Sequence, residues 1–228
     1  MLFPIDLVKL LLRRSVLRAH KKTLPNIPTM VIPGLGASDL ELSILRYYLS
    51  YAGLKVYKGG IGRNHGDIKT LLPLAEQQLD RIYMKQRHPV LLIGWSLGGI
   101  IARELSRKYD EKVAAVCCMG SPIVGGGKYT AFARFYKRSG FDLDLMEEQC
   151  NLREKRPLKH PSLSLYSKKD GIVFWGASQD PFNAHTKCIE VDTRHFSMGF
   201  STTVYTALHH WLQRTLPANP SVDQNGHS

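Results

Sequence analysis

No stretch of this 228-residue chain approaches the roughly 20 consecutive apolar residues that a membrane-spanning helix needs. Lys9, Arg13 and Arg14 interrupt the most apolar run, at the N-terminus, and the same charges spoil the unbroken apolar region of a secretory signal. Cysteine is scarce. Cys117, Cys118, Cys150 and Cys188 form no C-x-x-C pair and lack the density of a disulfide-stapled secreted domain, so reduced core thiols and a cytoplasmic protein are expected. His209 and His210 are neighbours whose side chains diverge on a helix, and no other ligand spacing suits a structural metal, so neither metal nor cofactor is expected. Acidic residues are in deficit, 19 against 31 lysines and arginines, for a formal charge of +12. Such a charge attracts nucleic acid, anionic lipid or acidic substrates. The basic residues are scattered, with no zinc-finger spacing or aromatic ribonucleoprotein motif, so a solvated basic surface is expected and nucleic acid is not.

What is present is a rhythm of short apolar runs and amphipathic segments. Residues 1–28 read as a basic N-terminal segment, helical over 1–22, with Ile5, Val8, Leu11, Leu12 and Val16 on one face. That face suits either peripheral contact with a membrane surface or packing on the domain. Met30–Ile32 reads as a buried strand entering the tight loop Pro33-Gly34-Leu35-Gly36, followed by a helix capped at Ser38 or Asp39 and stopped at Gly53. Lys55–Tyr57 is a second strand, Asp67–Gln86 a helix, Val90–Ile93 a strand, and Ile100 to Tyr109 lie on a further helix. Val113–Met119, Leu163–Tyr166 and Cys188–Val191 complete the strands, and Thr203–Leu212 is the last helix. Alternating strands and helices predict an α/β fold with a mostly parallel sheet of about six strands, covered on both faces. The domain is expected to span 29–214, with a small cap insertion at about 123–160 where the rhythm breaks, and a disordered tail at 215–228.

The chemistry centres on Gly94-Trp95-Ser96-Leu97-Gly98, set between the apolar Val90–Ile93 run and a helix. In that strand-turn-helix setting a G-x-S-x-G pattern reads as a nucleophile elbow, its glycines relieving crowding around a strained serine. A serine hydroxyl needs a positioned base, normally a histidine oriented by a carboxylate. Asp170 follows the Leu163–Tyr166 strand directly and is preferred as the acid over Asp144, whose Asp-Leu-Asp-Leu setting suits a cap helix, and over Asp180 and Asp192. His195 follows the last strand and precedes the last helix, whereas His185 lies before that strand and His209 and His210 fall inside the helix. His195 is therefore the expected base. For the oxyanion, the Leu97 amide supplies one donor and the Pro33–Gly36 loop the other, with Leu35 preferred and Gly36 the alternative.

Pro-Gly-Leu-Gly-Ala-Ser-Asp, Gly-Trp-Ser-Leu-Gly-Gly and Ser-x-x-Asp-Gly-Ile-Val together resemble the small lipase- and esterase-like proteins of the α/β-hydrolase superfamily, over about residues 27–212. The resemblance implies a serine esterase that acts on a small-molecule acyl ester through Ser96, Asp170 and His195. Thioester hydrolysis or acyl transfer would use the same triad, and a catalytically silent binding protein is the reading from a different class. Gly62-Arg63-Asn64 also resembles a segment of these relatives, which could bring Arg63 to the mouth of the site or serve as a structural loop. Two departures stand out: Pro33-Gly34 replaces the His-Gly of many lipases, and the extra N-terminal strands of larger relatives have no counterpart.

Overall fold

Period-two alternation along the apolar runs sorts their side chains onto two faces. Val31, Leu91, Ile93, Cys117 and Leu163 share one core cluster, while Met30, Ile32, Leu92, Val116 and Cys118 share another. A run that is apolar at every position can be buried on both faces, which is the condition for a central parallel strand. The computed structural model describes residues 18–216. In chain order it holds β1 (Pro28–Ile32), α1 (Ser43–Ala52), β2 (Lys55–Lys58), α2 (Ile68–Gln86), β3 (Val90–Trp95), α3 (Leu97–Lys108) and β4 (Val113–Met119). There follow α4 (Ala133–Arg138), α5 (Leu143–Glu154), β5 (Ser162–Tyr166), β6 (Thr186–Glu190) and α6 (Thr202–Thr215).

The strands form one six-stranded sheet in the order β2-β1-β3-β4-β5-β6, every pairing parallel, as the sequence pattern anticipates. Helices α1 and α6 cover one face through Leu45, Leu49, Val204, Leu208 and Leu212. Helices α2 and α3 cover the other through Leu71, Leu79, Ile100 and Leu105. Edge strands β2 and β6 are only partly buried, which fits their mixed composition. The adjacent thiols Cys117 and Cys118 point to opposite faces, both buried and free, and burial pushes the Cys118 thiol up to about 11. Cys150 and Cys188 are also free, although each is partly exposed.

Three boundaries differ from the sequence expectation. Helix α1 begins at Ser43, not after a Ser38 or Asp39 cap. Ser38 spends its amide and hydroxyl on Glu41 Oε2, both at 2.8 Å, and Asp39 Oδ1 accepts the Gly59 amide at 3.1 Å, so these polar groups close a loop before the helix starts. Gly53, at φ 123°, ends α1 as expected. Strand β6 lies two residues earlier than expected at its start, at Thr186, because its register is set by pairing Thr186–Glu190 with Ser162–Tyr166. Helix α6 extends through Thr215. The reading of residues 1–22 as a helix falls outside the described residues except for its end, and that of the tail lies outside them beyond Leu216.

That end, Arg18 to Leu24, is held on α1 and α6 by a buried aromatic stack. The His20 ring lies 3.7 Å from the His209 ring at an interplanar angle of 8°, and His20 Nδ1 is 2.8 Å from the Tyr48 hydroxyl. Thr23 Oγ1 lies 3.0 Å from His209 Nε2. Burial, reinforced by His20 and His210, pushes His209 down to about 4, and burial together with His210 lowers His20. Both imidazoles are thus neutral in the fold, while an unfolded chain protonates them near the ordinary 6.5. Their contribution to stability is complete above about pH 6.5 and is lost as the pH falls toward 4. The melting temperature is therefore expected to fall across that window, and His209→Gln should make the fall shallower. A profile unchanged by the substitution would remove His209 from this role.

Candidate active site

The backbone is tight where β3 turns into α3. Ser96 sits at that corner with φ 54° and ψ −125°, a conformation that costs of order 1–3 kcal/mol in a non-glycine residue. Its neighbours are glycine for lack of room: a Cβ on Gly98 would stand 2.3 Å from the Ile32 carbonyl oxygen, and one on Gly94 2.3 Å from that of Gly98. The Ser96 amide donates to Met119 O at 2.8 Å, which ties the corner to the end of β4. Helix α3 begins at Leu97, so the positive end of its dipole lies at the serine.

Asp170 and His195 meet across two loops at the same edge of the sheet. Asp170 follows β5 and its Oδ1 accepts the Ile172 and Val173 amides, at 2.9 and 2.6 Å, which fixes the carboxylate in a turn. Its Oδ2 lies 2.8 Å from His195 Nδ1, and the His195 amide donates to Asp170 O at 3.1 Å. Both side chains are buried. With Nδ1 committed to the acid, Nε2 is the ring nitrogen left for other work. Trp95, a residue to which the sequence reading gave no role, donates from Nε1 to His195 O at 3.2 Å and packs its ring 5.3 Å from the imidazole. Strand β3 thus bears on the histidine through the residue next to Ser96.

The competing candidates go elsewhere. Asp144 lies in the first turn of α5, almost fully exposed and paired with Lys128. Asp180 is buried against Arg103 and Asn183, and Asp192 pairs with Lys169 at 2.6 Å. His185 is exposed, His209 is buried in the stack with His20, and His210 is exposed.

The Pro33–Gly36 loop lies over the serine: a Cβ on Gly34 would be 2.8 Å from Ser96 Cβ. The Gly36 amide donates to Asn64 O at 2.7 Å, which commits the alternative oxyanion donor. Leu35, its neighbour, lines the same cavity as Ser96 and Leu97. Asn64 itself is fully buried. Its Nδ2 donates to Pro33 O at 2.9 Å, its amide to Ala37 O at 2.8 Å, and its Oδ1 accepts the Gly66 amide at 3.0 Å. Arg63 reaches back to Gly36 O at 2.6 Å, so this segment acts as a clamp on the loop. Asn64→Ala should cost about 2 kcal/mol by leaving buried backbone groups unpaired, a loss read by chemical denaturation. An unchanged midpoint would deny the clamp.

The insertion between β4 and β5 roofs the serine. Its entry is fastened to the Asp170 loop by an isolated bridge, Thr130 with Val173, and by Ala131 N to Ile172 O at 2.7 Å. Between this roof and α3 lies a cavity of about 250 Å³, walled largely by apolar groups including Leu35, Ile100, Phe132, Tyr136 and Met146, with Ser96 on its surface. Among the described residues no cluster of histidine, cysteine and acidic groups could hold a metal ion, and no helix is long and apolar enough to cross a membrane.

Comparison with solved structures decides what this frame is. The monoglyceride lipase of Saccharomyces cerevisiae superposes with a TM-score of 0.65 at 12% identity, covering 86% of this chain and 88% of that one. The Paleococcus ferrophilus monoacylglycerol lipase does so with a TM-score of 0.59 at 17% identity, covering 83% and 96%. The chain has the α/β-hydrolase fold. Within that fold a thioesterase-domain family model matches residues 51–130, which run from α1 through the elbow to the roof. A pimeloyl-[acyl-carrier protein] methyl ester esterase of Aromatoleum aromaticum is 32% identical over 97 residues, 42% of this chain and 38% of that esterase. The matched segment therefore spans well under half of the curated relative. In α/β-hydrolase terms the serine corner, the Asp170 loop and the His195 loop all stand at the carboxyl ends of strands, where the sites of open α/β sheets gather.

Proposed function

We propose that this α/β-hydrolase cleaves a carboxylic ester through an acyl-enzyme on Ser96, with residues 123–160 as a cap over the acyl group. The observation that carries the reading is the strained Ser96 corner opening into an apolar cavity, with the buried Asp170–His195 pair at the same sheet edge. Ser96 Oγ attacks the ester carbonyl while His195 Nε2 takes its proton. Asp170 holds Nδ1–H and stabilises the imidazolium. The Leu35 and Leu97 amides receive the oxyanion, and His195 then protonates the departing alcohol. Water, activated by the same histidine, attacks the acyl carbonyl and frees Ser96 with release of the acid. The cavity suits an aliphatic acyl chain, since its lining offers few polar groups.

Thioester cleavage is the second reading, favoured by the thioesterase-domain match over residues 51–130. The same residues serve, with a thiol leaving in place of an alcohol. Presenting one acyl group as its nitrophenyl ester and as its thioester, with burst amplitudes measured, tests both. A burst stoichiometric with protein is expected from at least one donor. The proposal fails if folded protein gives neither burst nor turnover with any acyl length.

A further inference from the structure

The cavity does not end as it begins. Along α3 it passes from Ser96 to Ile100, and along α5 from Met146 to Cys150 to Arg153, so that a guanidinium closes the far end of an otherwise apolar space. Glu104, the residue facing Arg153, lies eight steps of helical rise beyond Ser96, and at 1.5 Å per step the span is roughly 12 Å.

Arg153 belongs to a cluster in which four guanidinium groups meet three carboxylates, and every carboxylate already has a closer partner. Glu154 receives Arg103 at 2.6 Å and also Arg107, Asp180 receives Arg103 at 2.8 Å, and Glu104 receives Arg107 at 2.7 Å and Arg156 at 3.2 Å. Arg153 comes last. Its Nε lies 3.4 Å from Glu104 and 3.5 Å from Glu154, and although buried it makes no hydrogen bond. It also engages the Cys150 thiol, itself on the cavity wall. The Arg153 side chain is partly exposed, at 22%, and with its nearest carboxylates at 3.4 and 3.5 Å it is placed to take an anion that enters the cavity it lines.

Building on the ester-hydrolase reading, we infer that Arg153 receives a carboxylate at the far end of the acyl chain, so that the preferred substrate is a half-ester of an aliphatic dicarboxylic acid. The reacting carbonyl sits at Ser96 and the free carboxylate at Arg153. The span selects diacids of intermediate length: a malonate half-ester is too short to touch both ends, whereas adipate and suberate half-esters reach.

The test compares kcat/KM for monomethyl suberate with that for methyl octanoate, and follows the preference from malonate to sebacate half-esters. The wild-type protein should favour the suberate half-ester, with a maximum at intermediate length. Arg153→Met should lower the suberate-to-octanoate ratio about tenfold, chiefly through KM, as expected on losing a charge-assisted hydrogen bond, and Arg153→Lys should recover part of it. A ratio unchanged by Arg153→Met, or a wild-type preference that ignores chain length, overturns the inference. Thermal stabilisation by the free acids gives a readout independent of turnover. Suberate should raise the melting temperature of the wild-type protein where octanoate does not, and Arg153→Met should abolish the difference. If neither ester is cleaved, the hydrolase reading falls alone and the suberate shift still decides the role of Arg153; equal shifts by both acids overturn it.

Discussion

Ser96→Ala is expected to abolish turnover of a nitrophenyl ester almost completely, with a loss in kcat of about 10⁶-fold and an unchanged melting temperature. The magnitude is that of removing a serine nucleophile from a triad that works as a unit, the residue left over coming from the oxyanion donors and binding. Stability should hold because alanine tolerates the Ser96 backbone no better and no worse than serine. Glycine is different. At φ 54° and ψ −125° it escapes the crowding that a Cβ imposes, so Ser96→Gly should be equally inactive yet more stable, by about 1 kcal/mol. Denaturant midpoints and single-turnover kinetics on the two variants separate the two effects. If the glycine variant is less stable than the alanine one, the corner is not strained in the way proposed.

Asp170→Asn should lower kcat by about 10⁴-fold while leaving the loop in place. Asp170 uses one oxygen for the Ile172 and Val173 amides and the other for His195 Nδ1. Asparagine can keep its carbonyl on the two amides, which turns its NH₂ toward the imidazole. Nδ1 must then accept a hydrogen bond, the proton moves to Nε2, and the ring nitrogen that should take the proton of Ser96 already holds one. Nitrogen NMR of His195 at neutral pH should show the exchange of tautomers directly. A variant with near-normal kcat, or with the proton still on Nδ1, would show that Asp170 does not orient the base.

The sheet and its helices were legible because their signals are local. Runs such as Val90–Ile93 and Val113–Met119 are apolar at every position, and only a strand buried on both faces uses such a run between glycine-rich turns. The placement of Ser96, Asp170 and His195 at one sheet edge followed from counting loops after strands. The start of α1 was misread for an equally physical reason: a serine or aspartate before an apolar segment looks like an N-cap, and only tertiary partners such as the Gly59 amide reveal that Asp39 is spoken for. The Gly62-Arg63-Asn64 segment is picked out by resemblance, but nothing in the neighbourhood of Asn64 or of Arg153 names the group it holds. Asn64 acts on a loop about thirty residues earlier, at Pro33, and Arg153 on Glu104, about fifty residues away. The His20–His209 stack joins opposite ends of the described chain, and no periodicity in either segment announces it.

Covalent labelling with a fluorophosphonate reaches the centre of the account without any knowledge of the substrate. Such a probe phosphonylates a serine only where a base activates the hydroxyl and donors hold the phosphoryl oxygen. Intact-mass and peptide analysis of the folded chain should show one adduct per molecule, on the peptide containing Ser96, absent from Ser96→Ala and strongly slowed in Asp170→Asn. Folded protein that stays unlabelled, or a Ser96→Ala variant that labels as well as the wild type, would contradict Ser96 as the nucleophile.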